Sequence, residues 1–275
     1  MERTLNNLRV VLVRTRNPLN IGAAARAMSN FGVRHLRLVR PYEVAFREAR
    51  SAVGAAEVMA SAVEYDSVAE ATADCRLVVG TTAAGRRELQ HELRRLEVGG
   101  RGIRKQLARG PVALLFGSEK RGLSNDDMSH CHWLMRIPTR GEQGPADHDS
   151  MNQGSVNHGS MNLGQAVAVC LYELVRVGKI SAGETEAAES AKTSRAAARV
   201  KANAQAGDLE RITQLLLEVL SASGYVKPRV AAATEEKLRR MVRRMNLSEK
   251  DAELWLGMLR QIGWKLGAKT DPGAG

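Results

Sequence analysis

Apolar residues in the first part of the chain come in short unbroken runs separated by stretches with helical spacing. Leu8–Arg14 (LRVVLVR) is a nearly continuous β-branched run, the pattern of a strand buried on both faces. His35–Val39, Arg76–Gly80, Val112–Phe116 and Trp133–Ile137 read the same way. After the first run, Asn20 is placed to cap a helix through Ala23, Ala24, Ala25 and Ala27 to Phe31, ended by Gly32. A strongly apolar helix is expected over Leu163–Val177. Strands alternating with helices predict an α/β domain over residues 1–177, with a mostly parallel sheet covered on both faces.

The pattern then changes. Gly178–Gly207 is Ala, Glu, Ser, Lys and Arg with few large apolar residues, which predicts a linker with too little hydrophobic surface to pack as a domain. Residues 208–275 predict a small all-α module: Leu209–Ser221 capped by Asp208, Glu235–Met245 after Thr234, and Glu249–Leu266 after Ser248. Ser248 and Asp251 form a capping-box variant, and Gly267 ends the last helix. Leu254, Trp255, Met258, Leu259 and Ile262 have the i, i+3, i+4 spacing of a core stripe. A module of this size is marginal alone and is expected to dock.

Composition narrows the class. No apolar run approaches the roughly 20 residues needed to span a bilayer. The N-terminus carries an acid and no apolar core, unlike a signal peptide. Cys75, Cys131 and Cys170 are odd in number and widely spaced, which argues against a disulfide framework. The expected protein is soluble and cytoplasmic. Lys and Arg total 41 against 30 acids, a net charge of +11, so a polyanionic partner such as nucleic acid is favoured. Aromatics are only 4%, which disfavours a base-stacking sheet and leaves phosphate contacts through Arg and Lys. Lys237, Arg239, Arg240, Arg243 and Arg244 crowd one short helix. His130-Cys131-His132 alternate along an extended segment, so they face opposite ways and do not make a metal site.

Candidate chemistry lies in three glycine-containing turns. The first, Asn17–Ala27, joins the first strand to the first helix and puts Gly22 and Arg26 on one helix face. The second, Leu115–Ser124, follows the Val112–Phe116 strand and has neither a dinucleotide fingerprint nor a P-loop. The third repeats one pentapeptide: Ser150–Gly154, Ser155–Gly159 and Ser160–Gly164, only the last running straight into the apolar helix.

In this order and context the turns resemble the three motifs of the SPOUT methyltransferases, in their TrmH branch. N-x-G-x-x-x-R matches Asn20, Gly22 and Arg26; G-x-E-x-x-G-L matches Gly117, Glu119, Gly122 and Leu123; S-x-N-[LV] matches Ser160, Asn162 and Leu163. The resemblance spans about Leu8 to Val177. Ser150–Asn152 is the alternative third motif, because Thr139–Gly159 separates Ile137-Pro138 from Ser160.

The resemblance implies a deep trefoil knot, a homodimer with the site at its interface, no metal, and S-adenosylmethionine as methyl donor. It further implies transfer to a ribose 2′-hydroxyl of tRNA, at the first nucleotide of the anticodon loop. Cofactor contacts would come from Thr81, Thr82, Ala83, Gly117, Gly122, Ile137, Ser160, Met161, Asn162 and Leu163. Arg26, Asn20, Glu119 and Ser160 would carry catalysis, with Arg26 steadying a phosphate and the forming alkoxide rather than accepting a proton. Arg26, Arg86, Arg87, Lys237, Arg240 and Arg244 are the expected RNA contacts. Two other readings are a ribosomal-RNA methyltransferase and a non-catalytic RNA-binding protein on the same fold. A Rossmann dehydrogenase would need a glycine fingerprint after the first strand, where only Gly22 stands.

Overall fold

In a computed structural model the described residues are 5–42, 55–83, 89–139, 161–184 and 202–269. Seven strands form one sheet: β1 (Leu8–Val13), β2 (His35–Val39), β3 (Val63–Tyr65), β4 (Leu77–Thr81), β5 (Leu93–Arg95), β6 (Val112–Phe116) and β7 (Trp133–Arg136). Their order is β3-β2-β1-β6-β4-β7-β5, and each pairing is parallel. The long apolar runs became the central strands. The edge strands β3 and β5 have three residues each and no apolar run, so sequence periodicity does not reveal them.

Helices cover both faces, as parallel sheets require. On one face lie α1 (Pro18–Asn30), α2 (Ala56–Ala60), α4 (Leu96–Leu107) and α6 (Leu163–Glu184). Val10, Leu12, Leu114 and Phe116 point into this core with Ile21, Met28, Ile103 and Val167. Val11, Val13, Ala113 and Leu115, one residue out of phase, point into the opposite core. Gly164 lets α6 cross α1 closely: a Cβ there would stand 2.6 Å from the Ala23 Cβ.

The first helix starts earlier than its sequence suggests. Asn17 is the cap, its Oδ1 accepting from Leu19 N at 2.9 Å, and Pro18 takes the first helical position, where a missing N–H is harmless. Asn20 is therefore buried inside the first turn and released for another role. α6 runs to Glu184, past the expected end at Val177. The path of the expected knot includes residues 140–160, which lie outside the described residues.

Among the described residues the opposite face has two short helices of its own, α3 (Val68–Thr72) and α5 (Asn125–Ser129). The C-terminal helices α7 (Ala206–Ala222), α8 (Ala231–Arg244) and α9 (Glu249–Lys269) complete it. Packing against the sheet domain begins before residue 208: Ala204 and Ala206 are buried, and the Ala206 and Gly207 amides donate to Cys75 O and Ala73 O at 2.8 and 2.9 Å. α7 is capped at Gln205 without a side-chain bond, so Asp208 lies inside the helix rather than at its cap. Ser248 does cap α9, accepting from Asp251 N at 3.3 Å. The core stripe expected on α9 is split. Of its residues Leu259 is buried with Ala204, Leu209, Ile212 and Val242, and Trp255 packs partly against them, whereas Leu254, Met258 and Ile262 are exposed. α9 packs chiefly against α7, which does not cover the whole stripe.

Candidate active site

Parallel strands align their C-terminal ends, and loops leaving neighbouring strands converge there. Here the ends of β4, β6 and β7 release Thr81–Ala83, Gly117–Leu123 and Ile137–Thr139, and the chain returns beside them at Met161–Leu163. Together they enclose a cavity of about 360 Å³. Of the residues that the resemblance names as cofactor contacts, Thr81, Thr82, Ala83, Gly117, Gly122, Ile137, Met161 and Leu163 line it. Phe116, Ser118, Lys120, Arg121, Met135, Thr139 and Ala166 line it too and carry no sequence signal beyond adjacency to the motifs.

Two glycines shape the β6 loop. A Cβ on Gly117 would fall 2.0 Å from the Gly122 carbonyl carbon, and Gly122 has φ +66°. The loop doubles back on itself, with Gly122 N donating to Ser118 O at 2.8 Å. Thr81 is fixed by its hydroxyl donating to Leu115 O at 2.8 Å, and the Thr82 amide donates to Met135 O at 2.9 Å.

Side chains from all three motifs form one hydrogen-bonded chain. Asn162 Nδ2 donates to Asn20 Oδ1 at 3.0 Å, and Asn20 Nδ2 donates to Glu119 Oε1 at 2.9 Å. The Arg16 and Asn17 amides also donate to the Glu119 carboxylate, at 3.3 and 3.2 Å. Asn162 Oδ1 in turn accepts from Gly164 N at 2.9 Å, fixing the start of α6. Partial burial works against charge on Glu119. The Asn20 side chain and the backbone amides outweigh it and hold the carboxyl below the usual range. Glu119 is thus an anion at neutral pH, on the wall of the cavity. Asn162 makes this bond from the third pentapeptide copy; Ser160 and the Ser150–Asn152 alternative lie outside the described residues.

Arg26 is placed differently from its partners. It is exposed on α1 and is not part of the cavity wall. Of the other expected RNA contacts, Lys237 and Arg244 are exposed, and Arg240 is turned inward, 9% exposed, beside Glu236. Arg239 and Arg243 on the same helix are buried more deeply. Arg86 and Arg87 lie outside the described residues. A larger cleft of about 470 Å³ at the opposite ends of β4 and β7, lined by His91, Arg94, His132 and Arg244, contains none of the three motifs. Among the described residues no cluster of three or more His, Cys, Asp or Glu could hold a metal, and no helix is long and apolar enough to cross a membrane.

The chain is similar to known proteins in sequence and fold. The model of the SpoU rRNA Methylase family matches residues 7–172. The tRNA (cytidine/uridine-2′-O-)-methyltransferase TrmJ of Sodalis glossinidius (strain morsitans) is 34% identical over 259 residues, covering 94% of this chain and 92% of that protein. TrmJ of Pectobacterium atrosepticum is 32% identical over 261 residues, covering 94% and 97%. The crystal structure of TrmJ from Z. mobilis ZM4 superposes with a TM-score of 0.70 at 27% identity, covering 92% of this chain and 98% of that one. With its motifs gathered at one pocket and the family pattern running from residue 7 to residue 172, the chain belongs to the SpoU rRNA methylase family.

Proposed function

We propose that this chain transfers a methyl group from S-adenosylmethionine to a ribose 2′-hydroxyl of tRNA, at the first nucleotide of the anticodon loop. It works in the cytoplasm as a homodimer with the site at the subunit interface. The observation that carries the reading is the Asn162–Asn20–Glu119 chain, which ties three distant motifs together at the cavity. The nearly full-length likeness to proteins named as tRNA 2′-O-methyltransferases supports the choice of substrate.

The cavity suits the methyl donor. Its apolar lining, Leu123, Met135, Ile137, Leu163 and Ala166, accepts a flat ring, and exposed backbone around Thr81–Ala83 and Gly117 offers polar partners. The ionised Glu119 on the wall matches a positively charged ligand. Thr81, Thr82, Ala83, Gly117, Gly122, Ile137, Met161, Asn162 and Leu163 would hold it, with Ser160 beside them in sequence. When bound, S-adenosylmethionine supplies an electrophilic methyl on a sulfonium.

What remains for the protein is alignment and charge. Glu119, an anion gripped by three N–H donors, orients Asn20 and the 16–17 backbone and has no proton to give. Arg26, which no hydrogen bond or ion pair ties to another described residue, is free to hold a phosphate and stabilise the sugar oxygen as it gains negative charge. Lys237 and Arg244 extend the phosphate contacts onto α8.

Incubating the protein with methyl-labelled donor and bulk tRNA, then identifying the labelled nucleoside by mass spectrometry, tests the reading. The expected product is a 2′-O-methylated nucleoside at the start of the anticodon loop. Label in ribosomal RNA alone, or RNA binding without label, would replace it with one of the other two readings.

A further inference from the structure

α8 carries five cations, and a purely surface role would leave them facing water. Arg239 does the opposite: it is 5% exposed and uses its whole guanidinium. Nε donates to Glu210 Oε1 and Oε2 at 3.1 and 3.0 Å, and Nη2 donates to Glu210 Oε1 at 2.9 Å and to Glu235. These partners belong to the C-terminal module itself. Nη1 leaves the module and donates to Asp126 Oδ1 at 3.3 Å and Ser129 Oγ at 3.1 Å, both on α5.

α5 is the helix that begins where the β6 loop ends. Five residues are too few for a helix to hold itself in water, so its position depends on its partners. Its start is fixed by a capping box. Asp127 N donates to Ser124 Oγ at 3.1 Å, and the Asp127 carboxylate accepts from Ser124 N at 2.7 Å. That carboxylate, on a residue 2% exposed, also takes Arg14. Arg14 has φ +53° at the end of β1, two residues before the Arg16 amide that donates to Glu119. A continuous set of bonds therefore runs from α8 through α5 to the β6 loop, and through Arg14 to the Arg16 amide that holds Glu119 on the cavity wall.

The plainer role for Arg239 is neutralising Glu210. The geometry argues that this is not its whole work. Glu210 already receives Nε and Nη2, and His130 Nδ1 and Arg243 Nη2 stand 3.5 Å away. The bonds from Nη1 to α5 add nothing to that charge. We infer that Arg239 is a positioning residue: it clamps α5, and through it the Gly117–Leu123 loop, so that the C-terminal module is a working part of the cofactor pocket. The role of that pocket rests on the function proposed above.

The test separates the clamp from the buried pair. Asp126→Ala combined with Ser129→Ala removes both acceptors on α5 and leaves Arg239 on Glu210. Three readouts apply: hydrogen–deuterium exchange of amides 117–123 in the protein alone, calorimetric affinity for S-adenosylhomocysteine, and steady-state methylation of tRNA. The expected result is faster exchange at 117–123, affinity weaker by roughly three- to tenfold, and a lower kcat with unchanged KM for tRNA. Asp126→Asn, which keeps an acceptor, should restore wild-type behaviour when Ser129 is intact. Wild-type exchange and affinity in the double variant would overturn the inference, leaving Arg239 as a structural ion-pair partner. Wild-type protein that neither binds S-adenosylhomocysteine nor methylates tRNA would overturn the proposed function instead. The exchange readout still decides the clamp in that case.

Discussion

Asn20 Nδ2 meets Glu119 Oε1 at 2.9 Å across 99 residues of chain. One partner rides on the helix after β1 and the other on the loop after β6, strands that are direct neighbours in the sheet. Replacing Glu119 removes the acceptor of two backbone amides and one side-chain amide together. Glu119→Ala should lower methylation roughly tenfold to a hundredfold, at about 1–3 kcal/mol for donors left without their partner. Steady-state kinetics with saturating donor checks it. Undiminished activity would remove Glu119 from the site.

The two glycines of the β6 loop should respond differently to the same change. Gly117→Ala drives a Cβ into backbone 2.0 Å away, so the loop must open. Gly122→Ala meets nothing within 4 Å and bears only the strain of φ +66°, about 1 kcal/mol. S-adenosylhomocysteine binding should vanish in the first and weaken by less than about tenfold in the second. Equal losses would mean that the doubled-back loop is not what shapes the pocket.

Arg26 is exposed, so replacing it should leave folding untouched. Arg26→Ala is expected to keep its melting temperature and donor affinity while losing about a hundredfold or more in kcat, the size of effect found when one charge-stabilising group is removed. Arg26→Lys, with a point charge in place of a fork, should recover only part. Full activity in Arg26→Ala would assign the charge stabilisation to another group.

Two histidines set a pH window for stability. Burial first, with the Arg243 cation adding to it, lowers His132 to about 3; its Nδ1 accepts from Val78 N at 3.1 Å. Burial, then Arg240 and Arg244, lowers His91 to about 4. Folded-state values below the ordinary 6.5 mean that the unfolded chain takes up protons first. Stability is full above about pH 6.5 and falls as pH drops toward 4. Urea midpoints at pH 7.5 and 5 should show this fall, and His132→Asn should reduce it. Glu210 titrates in another window: burial opposes its charge, but His130 and Arg239 hold it down to about 2, so its contribution is lost only between about pH 4.5 and 2. A midpoint unchanged from pH 7.5 to 5 would contradict the assignment of neutral histidines.

Lys237 and Arg244 face solvent, whereas Arg243 is 1% exposed and donates to Ala206 O at 3.1 Å. Lys237→Ala with Arg244→Ala should weaken tRNA binding and flatten its salt dependence by about one to two units of slope, without touching donor affinity. Arg243→Ala should instead lower the melting temperature. Filter binding at several salt concentrations, beside thermal unfolding, tells the two apart.

The central strands were legible because burial on both faces leaves no room for polar residues: Val112–Phe116 is continuous and buried throughout. The motif residues were legible as residue types at fixed spacing, and eight of the residues named from the turns line one cavity. Less local features were hidden. Asn20 reads as a helix cap until Asn17 and Pro18 are seen to take that place. Arg239 and Arg243 read as a phosphate-binding face because their acceptor, Glu210, lies 29 and 33 residues earlier. Nothing in a local window distinguishes a cation that meets water from one that meets a distant carboxylate. The α9 stripe misleads for the same reason, since periodicity marks an apolar face without saying whether a neighbour covers it.

That one face of the sheet is finished by helices from Ala206 onward bears on the timing of biosynthesis. Translation delivers β1 to β7 long before α7 and α8, and domains tend to fold in the order they emerge. Until Ala206 reaches Cys75 and Arg239 reaches α5, the nascent polypeptide holds its pocket loops on an incompletely roofed scaffold. A ribosome stalled within 178–207 would present the sheet with that face still open, so the pocket loops gain their full support only after α8 has emerged.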